Sequence, residues 1–374
     1  MIRSSAWRGN AATSLAAPTL HPGRPEGLSD SVVRPWTAST RPNRSAERKQ
    51  MSSQTIPRLT VSIPTCERPE LARRAVMSVV TAAAHPAAES VEIVVSDNSP
   101  DRATERLVSE ALAGWPGPSR YERNEPNVGM VGNFNRCVDL ARGRWVQILH
   151  DDDYLLPGGL GRLLARLPDQ PTDTHAHLFG VHVVDGHGKQ LRRQVPRRRQ
   201  ILTPAVALRK HLTWSSFVRF PAIVVARDAY QQVGPFDDSV GAATDLEMWS
   251  RIFGAYGVCL EPASIVSYVV HPEAATESMF TERYLELIAE VFDRAVTLGV
   301  LPEADVRQAQ AHWYHQFVIA GTIRRFRARD RQGAKGVMRL FDHEVTEGLP
   351  TSRRWQPARA ALRLATSMTR SKKA

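Results

Sequence analysis

The sequence is poor in cysteine, and its few cysteines form no structural pattern. Among 374 residues there are three, Cys66, Cys137 and Cys259, with no CxxC pair. A disulfide scaffold or a zinc site needs cysteines in an even or closely spaced set. We therefore expect reduced thiols and a cytoplasmic location.

Long apolar segments and several common catalytic motifs are also absent. No apolar run approaches the ~20 residues that a membrane-spanning helix needs. The sequence contains no P-loop, GxGxxG, HExxH or GxSxG motif. Dinucleotide redox chemistry, Walker-type phosphoryl transfer and serine hydrolysis therefore lack their usual marks.

Acidic residues are outnumbered, and the basic excess is uneven. The chain has 49 Lys+Arg against 38 Asp+Glu, a formal net charge of +11, which favours an anionic partner. One basic segment is the arginine run at 192–199, and another is the acid-free stretch from residue 353 to the end. The second segment, with apolar Trp355, Leu362 and Leu364, suggests peripheral contact with an anionic membrane surface at its inner face; a solvated tail is the alternative.

The first 50 residues look foreign to a fold. They hold five prolines, many Ser, Thr, Ala and Arg residues and no sustained apolar periodicity. This composition predicts a disordered N-terminal extension over residues 1–56. We expect Met51 to be an alternative start, just before the first strand; an organellar transit peptide is the weaker alternative.

The next 100 residues alternate between strand and helix patterns. Apolar strands at Leu59–Ile63 and Val91–Val95 are each followed by an amphipathic helical segment, the first opened by Pro69. This alternation predicts βαβ units and a mostly parallel, Rossmann-like α/β sheet flanked by helices. Beyond about residue 282 the pattern is largely helical and basic.

Three consecutive carboxylates follow the apolar strand Trp145–Leu149. Asp151, Asp152 and Asp153 would emerge at the C-terminal end of a buried strand, the edge at which open α/β sheets bind ligands. Their mutual repulsion predicts a divalent cation with a phosphate, because hard cations prefer oxygen ligands. The alternative is a solvated acidic turn.

Together, the ordered motifs of the stretch from Val61 to His271 resemble family 2 glycosyltransferases of the GT-A fold. The motifs are VSIPTCERP from Val61, VVSDNS ending in Ser99, NVGMVGNFN from Asn127, ARGRWVQILHDDD ending in Asp153, GPFD from Gly234 and TDLEMWSR from Thr244. The resemblance implies a GT-A domain over residues 57–280. A helical basic region would then occupy residues 281–374.

The resemblance also assigns the nucleotide-sugar site, by position in the motifs. It implies donor-binding roles for Pro64, Thr65, Glu67, Asp97, Asn127, Gly129, Asn133, Asp151 and Asp152. Plain structural roles are the alternatives: a strand-to-helix turn after Pro64, an Asx turn at Asp97, and a positive φ at Gly129.

The metal and the catalytic base follow from the same resemblance. It implies Mg²⁺ or Mn²⁺ held by Asp153, Asp151 and His271, although the split within the aspartate triplet stays open. Asp245 matches the general base of the inverting members, with a helix N-cap as the alternative. Glu247 is either a substitute for the acid that many relatives carry before the base or a capping-box partner.

The resemblance thus implies an inverting glycosyltransferase. Its partners would be a nucleotide-sugar donor and a hydroxyl acceptor on a sugar, a lipid-linked molecule or a small molecule, without nucleic acid. Cell-surface polysaccharide, glycolipid or secondary-metabolite glycoside synthesis is the expected setting. The rivals are a nucleotidyltransferase-like metal-dependent enzyme and a basic nucleic-acid-binding protein.

Overall fold

The structure is a computed structural model, which describes residues 56–82, 85–172, 174–270, 279–346, 348–350 and 355–367. The strands are β1 (Leu59–Thr65), β2 (Val91–Asp97), β3 (Ser119–Arg123), β4 (Trp145–Ile148), β5 (Tyr154–Leu155), β6 (Ala176–Asp185), β7 (Gln190–Gln194), β8 (Gln200–Leu202), β9 (Ile223–Ala226) and β10 (Val258–Val270). The helices are α1 (Pro69–Val80), α2 (Ala103–Leu112), α3 (Gly129–Leu140), α4 (Gly159–Leu164), α5 (Pro204–Thr213), α6 (Arg227–Val233), α7 (Thr244–Tyr256), α8 (Glu282–Thr297), α9 (Glu303–Arg327), α10 (Arg331–Arg339) and α11 (Gln356–Ser367). The extension predicted over residues 1–56 lies almost wholly outside the described residues.

One sheet organises the chain. Its order is β3-β2-β1-β4-β9-β6-β10-β5, with β7 added to β6 and β8 added to β10. Strands β3, β2, β1 and β4 run parallel, and the antiparallel β9 joins them to the parallel pair β6 and β10. The predicted α/β class is confirmed.

The apolar pattern explains why β1 and β2 are central. Every residue of both strands is buried, since helices cover both faces of the sheet. Helix α1 begins with Pro69 at its first position, where the missing N–H costs nothing, and it buries Ala72, Ala75, Val76 and Val79 on one face. In the β1–β2 register Thr65 is opposite Asp97, so the polar strand ends share one edge.

Two apolar runs, Val258–Leu260 and Ile265–Val270, predict two short strands. The observed strand β10 differs from this prediction. It is one continuous strand of 13 residues. Its pairing with β6 shifts register between Leu260 and Ser264 and again before Val266. Pro262 lies within the shifted segment and cannot donate a ladder hydrogen bond, so a bulge accommodates it.

A second core lies beside the sheet and involves the C-terminal helices. It is built around Phe292 of α8 and Trp313 and Tyr314 of α9, with Leu208 of α5 and Leu246 of α7. The C-terminal part is helical, as predicted. Because this core draws on residues from both sides of position 280, the proposed division at 280/281 remains a prediction. Within the described residues, no helix is long and apolar enough to cross a bilayer.

Candidate active site

The C-terminal ends of β1, β2 and β4 bring the predicted polar residues to one edge. Thr65 ends β1, Asp97 ends β2, and the aspartate triplet follows β4 directly. The last backbone link of β4 is the Leu149 N–H, which donates to Ser62 O at 2.8 Å. The triplet is thereby fixed against the end of β1.

Asp151 is turned toward β1 and the loop after it. Its Oδ2 accepts a hydrogen bond from Thr65 Oγ1 at 2.8 Å, and Arg68 Nη1 lies 3.3 Å from its Oδ1. Burial raises the pKa of Asp151 to about 6, and the Arg68 charge opposes that rise. Both carboxylate oxygens therefore have partners within the chain.

Asp153 has one oxygen bound and one without a partner. Its Oδ1 accepts the backbone N–H of Val269 at 2.8 Å. Its Oδ2 is buried and has no hydrogen-bond partner among the described residues. Burial, with the neighbouring Asp152 charge, raises the pKa of Asp153. A cation placed there would replace the missing partner and hold the group ionised.

His150 completes a group that fits a divalent cation. Ligand atoms of His150, Asp152 and Asp153 lie within 4.8 Å of one another, and we call these three the cation group. Phe220 packs against the imidazole with ring centroids 4.5 Å apart. Burial lowers the pKa of His150, so the ring is neutral, and its buried Nε2 has no partner within the described chain. Two carboxylates and a neutral imidazole are ligands suited to such an ion.

The cation group differs from the sequence-based ligand set of Asp151, Asp153 and His271, which stays a prediction. Asp153 belongs to it, whereas Asp151 is occupied by Thr65 and Arg68. His271 lies outside the described residues. Asp152, predicted to bind the donor, joins the group instead. The sequence analysis missed His150, although its position between the strand and the triplet was a usable signal.

A second cluster with ligand-type side chains lies deeper in the sheet. His177 Nδ1 and Cys259 Sγ lie 3.1 and 3.2 Å from Glu261 Oε1, and all three side chains are buried. Arg199 Nε lies 3.3 Å from the same oxygen. Glu261 Oε1 therefore already has three protein partners, and the charges of Arg199 and Arg166 beside the carboxylate disfavour a cation. The cation group is the better metal site.

The donor residues predicted on β1 and β2 have strong structural roles. Asp97 is fully buried, and its carboxylate accepts from Ser99 N, Ser99 Oγ and the Tyr121 hydroxyl, the last at 2.6 Å. The Asx turn considered for Asp97 is therefore present. Pro64 is buried within β1. Glu67 follows with φ at 54° and an exposed side chain at the edge of the site.

The loop before α3 and the start of that helix contain exposed residues and one buried asparagine. Asn127 Oδ1 accepts the N–H of Gly129 at 2.8 Å, and Gly129 has φ at 76°, which favours glycine. Asn133 is buried, and its Nδ2 donates to Thr65 O at 3.2 Å. Asn127 and Gly129 thus lie where a ligand can reach them, while Asn133 ties α3 to the end of β1.

Asp245 lies in the first turn of α7, and it is not the N-cap. The cap is Ala243, so Asp245 is the second helical residue, where its negative charge is favourable for the helix dipole. Its Oδ1 accepts the N–H of Leu246 at 2.7 Å. Burial raises the pKa of Asp245 to about 6. The carboxylate is ionised at neutral pH and more basic than an ordinary aspartate.

A small cavity of about 80 Å³ opens beside Asp245, and we call it the Asp245 cavity. Its lining is mainly aromatic: His211, Trp214, Ser215, Val218, Asp245, Leu246, Trp249, Tyr284 and Trp313. The indole Nε1 atoms of Trp249 and Trp313 are buried without a partner in the described part of the chain. The cavity therefore combines aromatic faces with donors for a hydroxyl-bearing ligand.

Glu247 is not a capping-box partner, because Ala243 caps α7. Arg251 Nε and Nη2 donate to Glu247 Oε1 and Oε2, each at 2.7 Å. Arg251 also donates to the carbonyls of Val233, Gly234 and Pro235. The pair therefore holds the segment before Asp237 against α7, and a role of Glu247 as substitute for the acid before the base stays a prediction.

Tyr268 lies within electrostatic reach of both parts of the site. Burial raises the pKa of its phenol, Arg219 lowers it, and the charges of Asp153, Asp152 and Asp245 each raise it further. The Arg219 guanidinium lies over the ring at 4.9 Å from its centroid. The charges of the cation group and of Asp245 therefore act on the same phenol.

Comparison with known proteins agrees with this geometry. Residues 60–233 match the family model described as Glycosyl transferase family 2. Residues 60–233 form a glycosyltransferase family 2 domain. The matched residues include Thr65, Asp97, the cation group and part of the Asp245 cavity, whereas Asp245 itself follows the matched segment.

Two bacterial proteins are similar in sequence to this chain. An uncharacterized protein of Mycobacterium tuberculosis is 29% identical over 236 residues, 60% of this chain and 72% of the relative. The Campylobacter jejuni GalNAc(5)-diNAcBac-PP-undecaprenol beta-1,3-glucosyltransferase is 29% identical over 133 residues, 36% of this chain and 40% of that enzyme. The chain thus spans less than half of the second relative.

A solved structure shares the fold of the glycosyltransferase domain. The mannosyltransferase PcManGT from Pyrobaculum calidifontis, in complex with GDP-Man and Mn²⁺, aligns with a TM-score of 0.51 and 15% identity. The alignment covers 88% of this chain and 87% of that one. At this identity the likeness establishes the GT-A fold and not the substrate.

Proposed function

We propose that the protein is an inverting glycosyltransferase that moves a sugar from a nucleotide-sugar donor to an acceptor hydroxyl. The observation that carries the proposal is the buried Oδ2 of Asp153, which has no partner in the described chain and belongs to the cation group. The cation group suits a diphosphate with its counter-ion. Asp245 supplies a basic carboxylate beside a cavity.

The proposed reaction is a single displacement. Asp245 accepts the proton of the acceptor hydroxyl as that oxygen attacks the anomeric carbon, and the bond from that carbon to the diphosphate breaks on the opposite face. A raised pKa of about 6 makes Asp245 a stronger base that is still ionised at neutral pH. Asp245 acts alone in this step, and Glu247 is paired with Arg251.

The donor side is assigned to the sheet edge. His150, Asp152 and Asp153 would hold Mg²⁺ or Mn²⁺, which supplies positive charge for the departing diphosphate when bound. Exposed Glu67 and Asn127 at the rim are positioned to contact the nucleoside, while Thr65, Asp97 and Asn133 hold the strand ends in place. The GDP-Man and Mn²⁺ of the mannosyltransferase structure support this class of donor and ion.

The Asp245 cavity is the proposed acceptor site. Aromatic walls favour a sugar ring, whose C–H faces pack on Trp and Tyr while its hydroxyls reach polar atoms. The named activity of the Campylobacter relative, on an undecaprenol diphosphate-linked glycan, supports a cell-surface polysaccharide or glycolipid setting. The family match supports glycosyl transfer over the nucleotidyltransferase and nucleic-acid-binding alternatives.

The predicted membrane contact of the basic C-terminus stays a prediction. Trp355 and Leu362, part of its motivation, pack against the second core, and Arg359 lies over the Phe341 ring at 4.2 Å. Leu364 remains 63% exposed. Helix α11 therefore has less free apolar surface than the sequence indicates.

A donor screen tests the proposal. The full chain would be incubated with a panel of nucleotide sugars and Mn²⁺, with release of nucleoside diphosphate measured by chromatography. One donor should be hydrolysed slowly without an acceptor, and EDTA should stop the reaction. The product anomer, determined by NMR, should be inverted; a retained anomer, or no turnover of any donor, would overturn the proposal.

A further inference from the structure

A second cavity is lined by arginines that have no role in the proposed reaction. It has a volume of about 450 Å³, and we call it the basic cavity. Its lining is Leu156, Pro157, Arg162, Arg166, His182, Arg193, Pro262, Ala263 and Ser264. Three guanidinium groups and an imidazole therefore line one cavity, and Arg193 belongs to the arginine run of the sequence.

Regular elements fix these side chains in position. Arg162 of α4 donates from Nε to Ser264 O at 2.9 Å and from Nη2 to Pro157 O at 3.0 Å. Arg166 Nη1 donates to Arg162 O at 3.1 Å. On the opposite wall, His182 of β6 is paired directly with Arg193 of β7. The cavity is thus built from a helix and a hairpin.

The charge balance of the cavity is strongly positive. No carboxylate lines it, and the acid that approaches it is Glu261, whose Oε2 lies 3.9 Å from Arg166 Nε. Arg199 shares that buried acid. Across the described part of the chain, Arg162 and Arg193 form no ion pair. Holding like charges around one cavity costs energy that a bound anion would offset.

His182 responds to this charge. Burial lowers its pKa, and the positive charges of Arg193 and Arg162 lower it further. A neutral imidazole can donate one hydrogen bond to a phosphate oxygen and adds no repulsion. This agrees with a cavity of positive potential.

The basic cavity is separate from the site at the sheet edge. Ser264 lines the cavity, whereas Val269, five residues later on the same strand, binds Asp153. At ~3.3 Å per strand residue the two positions are roughly 16 Å apart. His182 is nearer, because it is paired with Ser267, two residues before Val269. A diphosphate at the cation group therefore does not reach the end of the cavity where Arg162 binds Ser264 O.

We propose that the basic cavity is a binding site for a phosphate group, carried either by a lipid headgroup or by a soluble phosphate compound. The planar fork of arginine donates two parallel hydrogen bonds to phosphate oxygens. Arg193, exposed and without a carboxylate partner in the described residues, is the side chain most available to do so. Arg162 and Arg166 supply fixed charge on the opposite wall.

Neighbouring arginines provide a matched test. Arg192 and Arg193 are consecutive on β7, so their side chains point to opposite faces, and Arg193 alone of the two lines the cavity. Arg193→Glu and Arg192→Glu change the net charge equally. Calorimetry of the full chain with inorganic pyrophosphate, without divalent cation or donor, measures the soluble ligand. Flotation with phosphatidylglycerol–phosphatidylcholine vesicles, against phosphatidylcholine alone, measures the headgroup.

The proposal expects pyrophosphate binding by the wild type and Arg192→Glu, and at least about tenfold weaker binding by Arg193→Glu, since a charge-assisted hydrogen bond is lost. Vesicle binding with the same dependence on Arg193 would assign the phosphate to a lipid headgroup. Loss of pyrophosphate binding without vesicle binding would assign it to a soluble compound. Equal behaviour of the two variants in both measurements, with native melting temperatures, would overturn the proposal.

Discussion

The backbone N–H of Val269 donates to Oδ1 of Asp153 across 2.8 Å, which joins β10 to the end of the aspartate triplet. The bond fixes the carboxylate with one oxygen engaged by protein and the other, Oδ2, without a partner in the described chain. A backbone donor thus orients the side chain before any ion arrives, which lowers the cost of binding one.

Replacing this carboxylate tests the metal role. Asp153→Asn keeps an oxygen that can accept from Val269 but removes the charge, so the fold should persist while Mn²⁺ binding and sugar transfer are lost. Isothermal calorimetry with Mn²⁺ and a transfer assay measure both. Asp139→Asn, at an exposed aspartate of α3, is the control and should behave as the wild type. Full activity of Asp153→Asn, or of the wild type in EDTA, would contradict the metal role.

His150 provides a second test of the cation group. His150→Phe keeps an aromatic ring against Phe134 and Phe220 but removes the unpartnered Nε2. We expect weaker Mn²⁺ binding by calorimetry, with a melting temperature close to that of the wild type. An unchanged Kd for Mn²⁺ would limit the ligands to the two aspartates.

Asp245 is tested by the same kind of isosteric change. Asp245→Asn removes proton acceptance, so the transfer rate should fall by ~10²–10⁴-fold with donor affinity little altered. Because Ala243 and not Asp245 is the helix cap, stability should change little. Near-normal turnover with a native melting temperature would show that another group takes the proton.

The raised pKa of Asp245 predicts an acidic limb in the pH profile. The carboxylate is active when ionised, so kcat/KM should be constant above about pH 7 and fall about tenfold per pH unit below its pKa of about 6. An ordinary aspartate would place this limb near pH 4. Rates measured from pH 4.5 to 8 check the position, and a plateau extending to pH 4.5 would contradict a base with a raised pKa.

The Glu247–Arg251 pair predicts a stability effect distinct from catalysis. Arg251→Met leaves a largely buried carboxylate unpaired and several carbonyls without donors, so the free energy of unfolding should fall by about 3 kcal/mol. Arg73→Met breaks the exposed pair with Glu70 and should cost less than about 1 kcal/mol. Urea unfolding measures both free energies. Equal effects of the two substitutions would show that the Glu247–Arg251 pair contributes little to stability.

The sequence predicts the parallel part of the sheet well because apolar strands and polar strand ends are local signals. The triplet, Asp97 and Thr65 lie at one edge as expected. What it misses depends on packing between distant segments. The unpartnered Nε2 of His150 matters only because Phe220 covers the ring. Glu247 accepts from Arg251, which also donates to the carbonyl of Gly234. A local pattern contains neither fact.

The wall of the Asp245 cavity has a consequence for how such enzymes diversify. Tyr284 and Trp313 come from α8 and α9, well beyond residue 233, where the family match ends, whereas the cation group lies within the match. On the proposed assignment, the residues that bind the donor are encoded earlier in the gene than Tyr284 and Trp313, which form part of the acceptor wall. Recombination downstream of the codon for Asp245 would exchange that wall and preserve the chemistry, so a lineage could attach the same sugar to new acceptors.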